Sequence, residues 1–229
     1  MKPATKLLIA IATFALGLCA VIGWLYYRES QRIEVQLPNA RWEPLFFKLI
    51  NRTTELAGVS ELRNTVVGSG DIEVRFWHGF GLGDLEGVIL KRTSGQWTAS
   101  HIQANDYVEP TKATLTPLHT PKSGAEGLWD KLEGLEITTI KDASDINCEV
   151  GGIDGQSYVV EINQDHNYRT YMYSAGKCPE VNLVEKMDIT IGLEFATPQD
   201  KCTDAEWFGC AQIRLNRFRQ TRSQVYPRQ

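Results

Sequence analysis

The chain has 229 residues, 42% of them hydrophobic and 23% charged, with a mean hydropathy of -0.26. That make-up belongs to a folded protein with room for one ordinary domain and excludes wholesale disorder. The formal net charge is -4, but residues 212–229 hold five arginines and no acid, so the remaining 19 basic and 28 acidic residues leave the body at -9. An acidic body excludes a dedicated nucleic-acid surface, which needs Lys and Arg clustered on one face to neutralise phosphates.

Residues 7–27 (LLIAIATFALGLCAVIGWLYY) are uncharged, and as a helix these 21 residues would span about 32 Å against a hydrocarbon core of about 30 Å. Lys2 and Lys6 precede the run, whereas Arg28, Glu29, Arg32 and Glu34 follow it with no net charge. The asymmetry puts residues 1–6 in the cytoplasm and the rest of the chain in a periplasmic or extracellular space. Trp24, Tyr26 and Tyr27 fall where an interfacial aromatic belt belongs. The rival reading is a cleaved signal peptide with Ala15-Leu16-Gly17 as its small-x-small site; a lipoprotein is disfavoured because bulky Leu18 precedes Cys19. Ala15, Cys19 and Gly23, four residues apart, form a small-residue face that suits a weak homodimer through the helix.

Residues 28–42 read as a juxtamembrane spacer, residues 43–217 as an exported domain and residues 218–229 as a basic tail. Leu45, Phe46, Leu49 and Ile50 predict a helix over 43–56, stopped by Ala57-Gly58. In 71–78, Ile72, Val74 and Phe76 alternate with Glu73, Arg75 and Trp77, the pattern of a half-buried strand. Residues 85–92 and 96–103 add two strands around a Thr93-Ser94-Gly95 turn, completing a meander. Residues 109–123, with Pro110, Pro117 and Pro121, read as a loop. A short helix over 124–135, a strand near 137–140 and a turn at 142–145 follow.

A second hairpin pairs 156–163 with 167–174 about Gln164-Asp165-His166, with Tyr158, Val160 and Ile162 on one face and Arg169, Tyr171 and Tyr173 at alternate positions of the partner. Pro179 opens a helix to about residue 192 whose stripe is Val181, Val184, Met187 and Ile191. Residues 210–217 read as an edge strand. Strands and helices do not alternate regularly, so the predicted class is α+β: an antiparallel sheet of hairpins and a meander with two or three packed helices, preceded by one transmembrane helix.

Five cysteines leave Cys19 within the apolar run and four beyond it, and no C-x-x-C spacing suggests metal or redox chemistry. Three pairings are open. Cys148 precedes the second hairpin and Cys178 follows it, so antiparallel pairing should bring the two together; Cys202 and Cys210 bracket one short loop.

Chemical motifs are scarce. His78, His101, His119 and His166 show no metal-ligand spacing, although His78 and His101 could converge from neighbouring strands. The glycine-rich run 79–83 lies between strands, where a dinucleotide loop would need a following helix. Asn163, Asp165 and Asn167 imitate the opening of a calcium loop, but Tyr168 stands where it needs glycine and Ser174 where it needs glutamate. No serine lies in G-x-S-x-G, and the carboxyl pairs Asp71 with Glu73 and Asp84 with Glu86 carry no sign of a cleft. No cofactor or metal is implied.

The constellation with binding character is Glu161, Arg169, Tyr171 and Tyr173, where aromatics interleave with a guanidinium and a carboxyl that suit a sugar or peptide. The plainer reading is a cross-strand ladder that stabilises the sheet. The arginines from Arg214 to Arg228 suit anionic envelope polymers or lipid head groups. The function that follows is a membrane-anchored exported module that binds or builds in the cell envelope; the alternative is an exported hydrolase with its site between the meander and the second hairpin.

Overall fold

The computed structural model describes residues 3–30, 32–38, 40, 42–80, 85–106, 108–146, 148, 157–174 and 178–196, and the side chains of the first helix over 14–29. The chain is α+β. Among the described residues four α-helices accompany one seven-stranded sheet: α1 (Pro3–Ser30), α2 (Trp42–Leu56), α3 (Ala125–Gly134) and α4 (Pro179–Phe195). The strands are β1 (Glu34–Gln36), β2 (Ile72–His78), β3 (Glu86–Thr93), β4 (Gln96–Ala104), β5 (Ala113–Pro117), β6 (Ser157–Gln164) and β7 (Asn167–Ser174), in the order β1-β7-β6-β2-β3-β4-β5.

The meander and the second hairpin both form, the hairpin about the two-residue turn Asp165-His166 rather than the expected three-residue tip, and β2 joins them by pairing with β6 from Ile72↔Gln164 to His78↔Tyr158. Two strands depart from the sequence reading. Within the stretch taken as a spacer, β1 lies parallel to β7 (Glu34↔Asn167), which makes the sheet mixed rather than antiparallel. Within the proline-rich loop, β5 pairs with β4 from Ala113↔Ala104 to Pro117↔Ser100. Its proline closes an edge strand, where a missing N–H leaves no ladder bond unmade. The strand expected near 137–140 is absent; the segment is a run of turns.

Period two placed Ile72, Val74 and Phe76 correctly. They face α3 and α4, whose stripes Leu128, Trp129, Leu132 and Val181, Val184, Met187, Ile191 are all buried against them with Val160, Ile162 and Tyr171. The half-buried reading of β2 fails. Glu73, Arg75 and Trp77 are buried too, at 4%, 2% and 0% exposure, because α2 and the 57–67 segment cover the second face through Phe46, Leu49, Ile50 and Leu62. Leu45, assigned to that stripe, is exposed.

The second face combines an apolar cluster with buried polar side chains, most of whose polar atoms are paired, although Arg75 Nη1 and Asn163 Oδ1 have no hydrogen-bond partner. Arg75 donates from Nε (2.9 Å) and Nη2 (2.6 Å) to Glu73 and from Nη2 to the Ser60 carbonyl at 2.8 Å, while Lys91 lies 3.3 Å from Glu73. Asn163 donates to the carbonyls of Leu62 and Thr65 at 3.0 and 2.8 Å. Trp77 lies flat over β3 because its partner is Gly87; a Cβ there would come within 2.7 Å of the indole.

Cys148 and Cys178 form a disulfide with a Cα separation of 5.8 Å, and Cys19 is free and exposed. Cys202, Cys210, the 210–217 strand and the basic tail lie outside the described residues. Among the described residues no helix is long and apolar enough to cross a membrane.

Two outcomes test this packing. Replacing Cys148 and Cys178 by serine should lower the unfolding free energy by about 3.7 kcal/mol, the loop-closure value for a separation of 30 residues, in urea titrations. Gly87→Ala should cost about 1–3 kcal/mol, as overpacking does, and should red-shift Trp77 fluorescence as the indole is displaced.

Candidate functional site

The four residues singled out in the second hairpin do not form one site. Alternation along a strand sends neighbours to opposite faces. Glu161 pairs with Thr170, so it lies on the polar face, whereas Arg169, Tyr171 and Tyr173 lie on the face of α3 and α4. Glu161 is 1% exposed and accepts from Trp77 Nε1 and Tyr168 Oη, both at 2.8 Å.

The other three hold the 137–141 segment. Arg169 donates to the carbonyls of Thr138 and Ile140, Tyr171 to that of Ile137 at 2.9 Å and Tyr173 to that of Lys141 at 2.6 Å. Burial pushes the Tyr171 and Tyr173 phenols far above their ordinary range, so both remain donors. Asp142 completes the strap by accepting from Met172 N at 2.8 Å. Outside it, Arg169 borders a polar cavity of about 480 Å³ shared with Lys141, Asp142 and Asp145.

The calcium-like residues are also engaged one by one. Asn163 holds the 62–65 carbonyls, Asp165 accepts from Gly70 N at 2.7 Å, and Asn167 donates to the Asp165 carbonyl. Among the described residues no group of three or more His, Cys, Asp or Glu is arranged to hold a metal ion. Residues 81–84, with Asp84 and most of the glycine-rich run, lie outside the described residues.

Ionisable groups do converge elsewhere, at the end of the sheet where β2 stops and β3 begins. The register sets His78 opposite Glu86 on one side and Tyr158 on the other, with Gln103 beyond Glu86. His101 Nε2 lies 3.1 Å from Glu86 Oε2, His78 Nε2 lies 3.8 Å from the same oxygen, and His78 Nδ1 lies 3.9 Å from Asp188 Oδ1 on α4. Gln103 donates to the other Glu86 oxygen at 3.2 Å. All four ionisable side chains are 18–30% exposed, within reach of solvent. Burial raises the Asp188 carboxyl above its ordinary value; His78 opposes that shift and Glu86 adds to it.

This grouping can move protons or bind a polar ligand. His78 and His101 were expected to converge from neighbouring strands; they lie on β2 and β4 with β3 between them and meet at Glu86, while Asp188 was not foreseen because it comes from a helix whose sequence signal is its apolar stripe.

A second feature is a cleft of about 410 Å³ between β4, the 117–121 segment and α3. Leu90, Trp97, Leu118, Ala125 and Trp129 give it apolar walls, and the two indoles meet at 5.4 Å. Its rim is tied to α4: His119 Nε2 lies 3.0 Å from the Phe195 carbonyl, and Glu194 accepts from Ser123 N at 2.7 Å and from Lys131. The volume lies in the range of small-molecule sites.

Compared with protein-family models, curated proteins and solved structures, the chain matches none.

Raising a carboxyl's folded pKa means that the folded state binds the proton more tightly than the unfolded state does. Stability then falls as pH rises from the ordinary carboxylate value of about 4 through the raised value of Asp188. Asp188→Asn should remove that decline, and chemical denaturation from pH 4 upwards checks it.

Proposed function

We propose that the protein is a single-pass membrane protein, N-terminus cytoplasmic, whose disulfide-linked α+β domain stands outside the membrane as a binding module of the cell envelope. One observation carries the anchor. Along α1, Phe14, Leu16, Leu18, Val21, Ile22, Trp24 and Leu25 are all 51–75% exposed, and the uncharged run continues in sequence back to Leu7. A contiguous apolar surface of this kind is unfavourable in water and favourable in lipid. The Cys148–Cys178 bridge supports an oxidising compartment.

The cleft between Trp97 and Trp129 supports a binding role, since an apolar concavity of this size with a polar rim suits a small organic or glycan ligand. In this reading the arginines from Arg214 to Arg228 add attraction to anionic polymers or head groups. The small faces of Ala15, Cys19 and Gly23 favour weak self-association, and a Cβ at Gly23 meets nothing within 4 Å.

The His78, Glu86, His101 and Asp188 grouping favours a second reading, an exported hydrolase using these groups for proton transfer. It spans the meander, and Tyr158 of the second hairpin borders it. Turnover of chromogenic esters or glycosides by the detergent-solubilised chain, abolished by Glu86→Gln, would establish that reading over simple binding.

The anchor is tested in spheroplasts of an expressing bacterium. The chain should stay with the membrane through alkaline carbonate washing, and added protease should digest the domain without lysis. Release into the soluble fraction, or protection of the domain until lysis, would overturn the assignment.

A further inference from the structure

We infer that the end of the sheet carrying the β6–β7 turn and the 68–71 turn faces the phospholipid head groups, while the His78, Glu86, His101 and Asp188 grouping points away from the bilayer. The inference rests on the reading of α1 as an anchor and adds an orientation to it.

Tether length carries the argument. The 28 residues of α1 span about 42 Å, the thickness of a bilayer with its head groups, so Ser30 emerges at the outer surface. Four residues later β1 begins at Glu34, already part of the sheet, and at about 3.6 Å per residue Glu34 stands within about 14 Å of Ser30. The start of β1 is fixed by two contacts: it pairs with Asn167, and Glu34 N donates to the His166 carbonyl at 2.8 Å. The β6–β7 turn is therefore at the membrane side.

The neighbouring turn is tied to it, since Gly70 N donates to Asp165 Oδ1 at 2.7 Å. Because β1 runs parallel to β7, the chain leaves the lipid and climbs the sheet edge. The opposite end of β2, six residues on, lies about 20 Å away along the strand, and His78 is its last residue. Ser69 and Asn167 present hydroxyl and amide groups at the near end, which suit head-group hydrogen bonding. A ligand for the far end must then come from the envelope or an opposing surface rather than from within the lipid.

Photocrosslinking tests this with the full-length chain reconstituted in vesicles of phosphatidylethanolamine and phosphatidylglycerol. The probe is p-benzoylphenylalanine at Ser69 or, in the β4–β5 loop at the far end, at Glu109; both positions are exposed. Retention of the native circular dichroism and of the Cys148–Cys178 bridge controls for folding. Ser69→p-benzoylphenylalanine should capture lipid several-fold more than the Glu109 variant. Equal or greater lipid capture at Glu109, or capture of a second protein copy instead of lipid at Ser69, would overturn the orientation. Release of the chain from vesicles by alkaline carbonate would instead show that the anchor reading itself fails.

Discussion

A carboxyl group with two neutral donors sits at the centre of the sheet's second face, and the double-sided burial of β2 and β6 depends on it. Glu161 is 1% exposed, and Trp77 and Tyr168 both point their polar hydrogens at it from neighbouring strands. A buried polar group without a partner costs about 1–3 kcal/mol, so three such groups packed together are stable only as a closed set. The same logic extends outward. Arg63 stacks on Phe47 of α2 at 3.5 Å and lies 5.4 Å from Tyr168, and it pairs with Glu43, so α2 is joined to the sheet by aromatic and charged contacts as well as by Phe46 and Ile50.

On the first face the polar requirement is met differently. The 137–141 segment runs over the core without pairing to any strand, and its carbonyls would be orphaned by burial. Arg169, Tyr171 and Tyr173 supply the missing donors, and Asp142 returns one acceptor to the backbone of β7. Three residues of the expected patch thus hold the backbone of this segment, while Arg169 also borders a polar cavity. Among the described residues, the ionisable groups at the far end of the sheet, the tryptophan-lined cleft and the polar cavity beside Arg169 face solvent, and a functional reading can stand on these surfaces.

The sequence carried the local pattern well and the global accounting poorly. Alternation located β2, β3, β4, β6 and β7 because each has at least seven residues, and the flanking position of Cys148 and Cys178 about a hairpin was enough to pair them. β1 has three residues and no alternation to detect, while β5 hides among prolines because edge strands tolerate them. Burial of Glu73, Arg75 and Glu161 was unreadable, since charge normally marks a solvated face and only the tertiary partners reverse that expectation. Placing Glu161 with Arg169 and Tyr171 failed for a simpler reason: odd and even positions across an antiparallel pair are assigned by register, which sequence alone leaves open. Ile137 and Ile140 suggested a strand because they are β-branched and buried, but the donors that satisfy the segment lie more than 25 residues away.

The dependence of the sheet on its central carboxyl is measured most directly by a double-mutant cycle of Glu161→Ala with Tyr168→Phe, followed by urea unfolding. A cooperative buried set requires the pair to be coupled by about 1 kcal/mol or more, with each single variant destabilised. Additive effects, within about 0.3 kcal/mol, would contradict the account by showing that Glu161 and Tyr168 contribute independently.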